Sequence, residues 1–345
     1  MSLKENIKHL SMMHGVSGFE HSISDYLSEQ FKALGFELSC DAMGNIIALK
    51  KSSSGSGRVM IEAHIDEIGF VVKSVDKDGF LRIAPIGGVD ARILYGSTVV
   101  VHSDCSYVGI VGAKPPHMMD DSEYGEKLDF DNLFVDVGMT SDEVAENIPL
   151  GSVVTFQSEY TKLLNSNISS KSLDDRASVA ILLECANRFS KIDLGYDLYI
   201  CGTVQEEVGM RGATTAAYSI NPDIAIAIDV THAITPDESK YCFKPGCGPV
   251  VCKGPNIHPV LVNEFLKVLN YNKIPYEIEV EGGNTGTDAW SIQTARCGIP
   301  TMLLSIPLKY MHTPIESLSL DDCDATVEAL CAFLKSFERT EDVLC

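Results

Sequence analysis

The chain opens with two stretches in which apolar residues recur every three or four positions, Lys4 to Met13 and Glu20 to Leu34. That spacing predicts two amphipathic helices. Between them lies His14-Gly15-Val16-Ser17-Gly18, where Gly15 and Gly18 suit a helix end and the turn after it. Ile46-Ile47-Ala48-Leu49 and Val59-Met60-Ile61 are short apolar runs flanking a Ser/Gly-rich turn over residues 52–57, the pattern of buried strands. From Gly69 to about Tyr160 the runs become shorter and closer: Val71 to Val75, Phe80 to Ile83, Thr98 to Val101, Val108 to Val111 and Val153 to Phe156. Asp78-Gly79 and Gly87-Gly88 punctuate them, and one short helix is predicted near Ser141 to Asn147. Such a series predicts a small β-barrel or sandwich.

After Asn165 the pattern changes again. Ala177 to Phe189 is helical, Leu198 to Val204 and Ile224 to Ile228 are strands, Pro259 to Asn270 is helical and Thr301 to Ser305 is a strand. Alternation of this kind predicts an α/β sheet with helices on both faces. An all-β insert interrupting one α/β domain accounts for the whole pattern most simply.

Composition narrows the function. A chain of 345 residues, 45% apolar and 22% charged, is large enough for one big domain with an insert. The net charge of −21 argues against nucleic acid as a partner, because phosphate binding relies on clustered Lys and Arg. The pairs Asp120-Asp121 and Asp321-Asp322 are short and read as solvated surface. The 11 cysteines show no Cys-x-x-Cys pair, even among Cys242, Cys247 and Cys252, so reduced thiols in a cytoplasmic protein are expected rather than a structural zinc site. No apolar run follows Lys4 and Lys8 as a signal peptide would require, and no stretch is long enough to cross a membrane.

The chemistry gathers where strands end. In open α/β sheets, ligands bind beyond the carboxyl ends of the strands. Val59 to Ala63 runs into His64-Ile65-Asp66-Glu67, Leu198 to Val204 into Gln205-Glu206-Glu207, Ile224 to Ile228 into Asp229, and Thr301 to Ser305 leads on to His312. Asp174-Asp175 precedes the helix that begins near Ala177. Each has an ordinary reading alone: Asp174-Asp175 can cap a helix, and His64 or His312 can be a hydrogen-bonded loop residue. Together, two imidazoles and several carboxylates form an inventory suited to zinc or cobalt, and a carboxylate can bridge two ions. Paired metals can clamp both sides of a hydrolytic reaction. Of the adjacent Glu206 and Glu207, one can bind metal while the other stays free as general base. Asp66, two residues after His64, is close enough to orient the imidazole.

Four segments carry a family resemblance: Ala63-His64-Ile65-Asp66-Glu67-Ile68-Gly69, Leu173-Asp174-Asp175-Arg176-Ala177, Gln205-Glu206-Glu207-Val208-Gly209 and Tyr310-Met311-His312-Thr313-Pro314-Ile315-Glu316. In this order they resemble the glutamyl aminopeptidase family of tetrahedral binuclear metallopeptidases, whose members are often labelled endoglucanase or cellulase M. The resemblance implies an α/β/α sandwich catalytic domain over 1–66 and 165–345, and a β-barrel insert over 67–164 that serves dimerisation. It implies His64, Asp174 and Asp229 as ligands of one metal and Asp174, Glu207 and His312 of the other, with Glu206 as general base and Asp66 orienting His64. Two divalent ions are expected, zinc or cobalt, with manganese also compatible. A cis peptide bond is implied at Asp174-Asp175. The activity implied is removal of N-terminal residues from peptides by a metal-activated water, with an acidic or broad preference, in dimers that assemble into a dodecamer. The loop Gly282-Gly283-Asn284-Thr285-Gly286-Thr287-Asp288 is more polar than the family's usual glycine run.

Three rival readings differ in what they require. A binuclear carboxypeptidase or deacylase needs a cationic group for the substrate carboxylate. A polysaccharide hydrolase needs two carboxylates flanking a sugar and no metal. A binding protein with a vestigial site would lack ligands or the base, and all of these residue types are present.

Overall fold

A strand that is apolar at every position has no face to give to water, and Ile224-Ala225-Ile226-Ala227-Ile228 lies accordingly in the middle of a large sheet, all five residues buried. In the computed structural model, which describes residues 1–119, 128–237 and 240–344, this strand runs over Ile224–His232, four residues past Ile228. It pairs in parallel with Arg58–His64 on one side and Thr301–Lys309 on the other. Asp197–Thr203 continues the parallel set beyond Arg58–His64. Antiparallel strands widen both margins, Ile46–Lys50 and Glu37–Cys40 at one side and Glu316–Ser319, Asn167–Ser170 and Thr161–Lys162 at the other. Val250–Lys253 pairs with Thr301–Lys309 and carries Glu277–Val280 on its outer side.

Helices cover both faces of this sheet. A Cβ at Gly202 would touch Leu27, in the helix His21–Ala33, whereas the next residue, Thr203, hydrogen-bonds Asp288 in the helix Asp288–Ile292. Successive strand residues point to opposite faces, so these two helices sit on opposite sides. The longest helix, Leu173–Phe189, is almost wholly buried because Leu3–Met12, Leu320–Leu334 and the sheet enclose it. Each Ile or Leu that it and the central strands bury contributes roughly 1.5–3 kcal/mol. No helix among the described residues is long and apolar enough to cross a membrane.

The region between the two parts of the sheet is a closed barrel rather than a sandwich. Its strands close in the order Gly69–Val75, Leu81–Ile86, Leu133–Asp136, Ser106–Ala113, Thr98–His102 and Val153–Phe156. Phe70, Leu81, Val99, Val101, Val135 and Phe156 fill a core of its own. The chain enters the barrel directly after His64. The barrel therefore stands beside the carboxyl end of the parallel strands, where its Gly87-Gly88 turn reaches the candidate site.

One sequence expectation is corrected. Asp322 is fully buried, not solvated. Its carboxylate accepts hydrogen bonds from the main-chain N–H groups of Gly246 at 2.8 Å and Gly248 at 2.7 Å, which ties a loop to the start of the helix Leu320–Leu334. The Asp120-Asp121 pair lies outside the described residues.

Candidate metal centre

His64 is the last residue of its strand, so its side chain emerges where the backbone ladder stops. Glu206 and Glu207 follow the neighbouring strand in a loop that folds back tightly: Gly209 and Met210 both donate their N–H to the Glu206 carbonyl at 2.8 Å. Asp229 lies within its strand. Asp174 and Asp175 have non-helical backbone angles at the start of Leu173–Phe189, and the peptide bond between them is cis. Ser172, Gln205, Met210, Tyr310 and His312 all take positive φ. For non-glycine residues this costs of order 1 kcal/mol each, and the bonding around them must hold them there.

These elements bring the predicted side chains into one cluster. His64 Nε2 lies 3.1 Å from Asp174 Oδ1, and His312 Nε2 lies 3.4 Å from Asp174 Oδ2. One carboxylate thus offers a different oxygen to each imidazole. His312 Nε2 is also 3.3 Å from Glu207 Oε1. Donor atoms of His64, Asp174 and Glu207 fall within 4.8 Å of one another, as do those of His64, Asp175 and Asp229. Asp175 was not among the candidate donors read from the sequence. Both of its carboxylate oxygens are buried without a hydrogen-bond partner among the described residues.

A second layer holds the cluster. The Asp66 carboxylate accepts from Ser17 Oγ at 2.6 Å and from the main-chain N–H groups of Glu206 at 2.9 Å and Glu207 at 3.2 Å. His64 Nδ1 is 3.2 Å from the Asp66 carbonyl and 3.5 Å from its carboxylate. Glu316 accepts from the N–H groups of His312 at 2.8 Å and Asp174 at 3.1 Å. His312 Nδ1 stands 2.8 Å from the carbonyl of Gly88 in the barrel. That hydrogen bond leaves Nε2 facing the carboxylates. Sequence reasoning missed the roles of Glu316 and Gly88. Glu316 lies inside a recognisable motif, whereas nothing local to Gly88 signals a partner 224 positions away.

The electrostatics report too much negative charge in too little water. Burial pushes the Glu206 carboxyl up to about 10 and Asp229 to about 8, against the lowering influence of His64. Burial alone would lower His312, but its hydrogen bonds to Asp174 and Glu207 raise it to about 11. His64 is raised likewise by Asp174 and Asp66, again against burial. Asp174 is held low by the two imidazoles despite burial. So many buried carboxyls call for positive charge among them. Divalent ions would supply that charge, and the paired imidazole and carboxylate donors fit them.

The cluster forms one wall of a cleft of about 570 Å³, which also takes in Met210, Thr231, His232, Glu279, Glu281, Thr285 and Met311. His232 lines it as well.

Comparison with known proteins bears on the family and the fold. Residues 44–329 match the family described as M42 glutamyl aminopeptidase. The lysyl aminopeptidase of Pyrococcus furiosus is 37% identical over 340 residues, covering 97% of each chain. A TET aminopeptidase from a marine sediment Thaumarchaeota archaeon superposes with a TM-score of 0.93 at 29% identity, over 99% of this chain and 98% of that one. The Pyrococcus horikoshii TET1 peptidase, which assembles into a tetrahedron or a large octahedral shell, superposes at 0.86 with 30% identity, over 97% of this chain and 100% of that one.

Proposed function

Because the chain belongs to the M42 glutamyl aminopeptidase family, and is thus a hydrolase of the aminopeptidase kind, we propose that it is a binuclear metallo-aminopeptidase acting through the cluster around Asp174. The observation that carries this reading is the division of the Asp174 oxygens, 3.1 Å from one imidazole and 3.4 Å from the other. In the proposed assignment His64, Asp174 and Asp229 hold one divalent ion, and Asp174, Glu207 and His312 hold the other. Zinc or cobalt suits this donor set best, and manganese is compatible. When bound, such ions supply Lewis acidity for the scissile carbonyl and lower the pKa of water.

The chain's own residues do the rest. Glu206 is nine-tenths buried, and its carboxylate makes no hydrogen bond among the described residues. It accepts the proton of the attacking water and later delivers it to the departing amine. Asp66 fixes the Glu206 backbone and hence the reach of that carboxylate. The substrate's free α-amine meets a cleft lined by carboxylates and by no lysine or arginine among the described residues. This favours an exopeptidase entering N-terminus first over a carboxypeptidase, which needs a cation at that place.

The inserted barrel is the dimerisation domain in this reading, and 1–66 with 165–345 is the catalytic one. Relatives that form tetrahedral shells support a dodecamer built from such dimers. Buried free thiols at Cys201, Cys252 and Cys323 favour the reducing cytoplasm. The family name points to acidic N-terminal residues, while the Pyrococcus furiosus relative is named for lysine.

A panel of aminoacyl reporter compounds, each with a free or an acetylated α-amine, tests the reading on metal-stripped and metal-restored protein. Hydrolysis is expected only with a free amine and an added divalent ion. Hydrolysis of blocked compounds, or turnover that survives chelation, would contradict it.

A further inference from the structure

The cleft holds more negative charge than the reaction uses. Its lining carries six carboxylates, Asp174, Glu206, Glu207, Asp229, Glu279 and Glu281, and no lysine or arginine among the described residues. If two divalent ions bind as proposed above, their four positive charges offset the first four. Glu279 and Glu281 remain, outside the donor cluster.

Their placement is regular. Glu277–Val280 pairs in parallel with Val250–Lys253, with Glu279 against Cys252 and Val280 against Lys253. Glu279 within the strand and Glu281 just past its end both line the cleft, and Lys253, in register with Val280, belongs to the other face. Glu281 makes no side-chain hydrogen bond or ion pair among the described residues. Glu279 Oε1 accepts from Thr231 Oγ at 2.6 Å. Thr231 follows Asp229 by two positions on the central strand, so the two Cα atoms stand about 6.6 Å apart on one face. A substrate held at the ion beside Asp229 would therefore meet Glu279 about one long side chain away. Burial raises the Glu279 carboxyl, against the hydrogen bond from Thr231 and the influence of His232. The unpartnered, nine-tenths buried carboxylate of Glu206 opens into the same cleft and marks where the scissile bond must lie. Met210, Leu303 and Met311 add apolar surface to this lining for an aliphatic stem.

We infer that Glu279 and Glu281 form the side-chain-selecting wall of this cleft, and that the enzyme prefers peptides beginning with lysine or arginine. A glutamate side chain there would place a third carboxylate against two others, with no lysine or arginine in the lining among the described residues and His232 already facing Glu279, and a short side chain would not reach them. The inference rests on the aminopeptidase reading for the location of the scissile bond. The specificity itself rests on the two glutamates, and it departs from the acidic preference that the family name implies.

The test compares kcat/KM for lysyl, arginyl, leucyl and glutamyl reporters in the wild-type enzyme and in Glu279→Gln, Glu281→Gln and Glu281→Lys. The wild type is expected to favour lysyl and arginyl over glutamyl reporters. Each glutamine variant is expected to lower the lysyl-to-leucyl ratio by roughly 10–100-fold, the scale of a lost charged hydrogen bond. Glu281→Lys is expected to raise the glutamyl-to-lysyl ratio, a gain that misfolding does not produce. Thermal-shift titration with lysine amide and glutamate amide reads the same preference without turnover, and lysine amide is expected to stabilise the wild type more. Equal ratios across all four proteins, or a wild type that prefers glutamyl reporters, would overturn the inference while leaving the aminopeptidase reading standing. No hydrolysis of any free-amine reporter would overturn both.

Discussion

The carboxylate of Asp66 accepts the main-chain N–H of Glu206 at 2.9 Å, joining the loop after one parallel strand to the loop after its neighbour. The same carboxylate takes the N–H of Glu207 at 3.2 Å and lies 3.5 Å from His64 Nδ1. One buried side chain thereby sets the relative position of His64, Glu206 and Glu207, the proposed base and a proposed metal ligand from each loop.

Asp66→Asn tests that coupling. An amide can still accept one N–H but cannot serve two with full negative charge, so both the imidazole and the Glu206 loop lose definition. Metal affinity is expected to fall by roughly 10–100-fold, as for other lost partners of ligating histidines, with kcat falling even at saturating metal. Calorimetric metal titration alongside steady-state kinetics checks both, and wild-type values in each would remove Asp66 from this role.

Glu206→Gln separates binding from chemistry. The carboxamide keeps the size of the side chain and the backbone bond to Asp66 but cannot accept the proton of the attacking water. Turnover should fall by roughly 10²–10⁴-fold while metal content stays near two ions per subunit. Retained turnover in this variant would point to another base.

Glu67 predicts a stability effect without direct chemistry. Its carboxylate is 2.6 Å from Lys171 Nζ and 3.9 Å from Arg176 Nη2, accepts from the N–H of Gly15 at 2.9 Å and from Ser172 Oγ, and is buried with both cations. Burial would raise its pKa, but Lys171 and Arg176 together hold it below the usual value. Burial also lowers Lys171, despite Glu67. Because the folded-state value of Glu67 is depressed, its contribution is present above the unfolded glutamate value and is lost as pH falls through the folded one. Urea unfolding of Glu67→Gln should show a loss of about 3–5 kcal/mol at neutral pH, since two buried cations are left behind. The gap from wild type should narrow as the pH is lowered from about 5 towards 2. A gap that is absent, or that widens in acid, would contradict this.

Gly88 ties the barrel to the site. Its carbonyl is 2.8 Å from His312 Nδ1, and a Cβ at this residue would stand 3.0 Å from the same atom. Gly88→Val should displace the imidazole and weaken the ion held through His312 by roughly 10-fold or more, leaving the other ion tighter. Two-site fits to a cobalt titration monitored by absorbance read the two affinities separately. Two unchanged affinities would show that the contact is incidental.

Much of this architecture was readable from side-chain periodicity. Ile224 to Ile228 reads as a central strand, and the run of short β segments between Gly69 and Phe156 reads as the all-β part. Leu133–Asp136 escaped because four residues give too little alternation to count. Arg211–Ile220 escaped although it buries a regular stripe of Gly212, Ala213, Ala216, Ala217 and Ile220, and Leu320–Leu334 because its opening Asp321-Asp322 resembles surface although Asp322 is buried. In the cluster, strand ends pointed to His64, Glu206, Glu207 and Asp229. Asp175, Glu316 and the Gly88 carbonyl act through backbone placement or long-range contact, and sequence spacing carries neither. Glu279 sits on, and Glu281 just past, a strand that pattern reasoning did not find.

Anomalous diffraction from crystals of the chelator-stripped protein reloaded with zinc or cobalt tests the central claim most directly. Two peaks are expected, one among His64, Asp174 and Asp229 and one among Asp174, Glu207 and His312, with Asp174 between them and Glu206 bound to neither. A single peak, or none in the space between His64 and His312, would contradict the account.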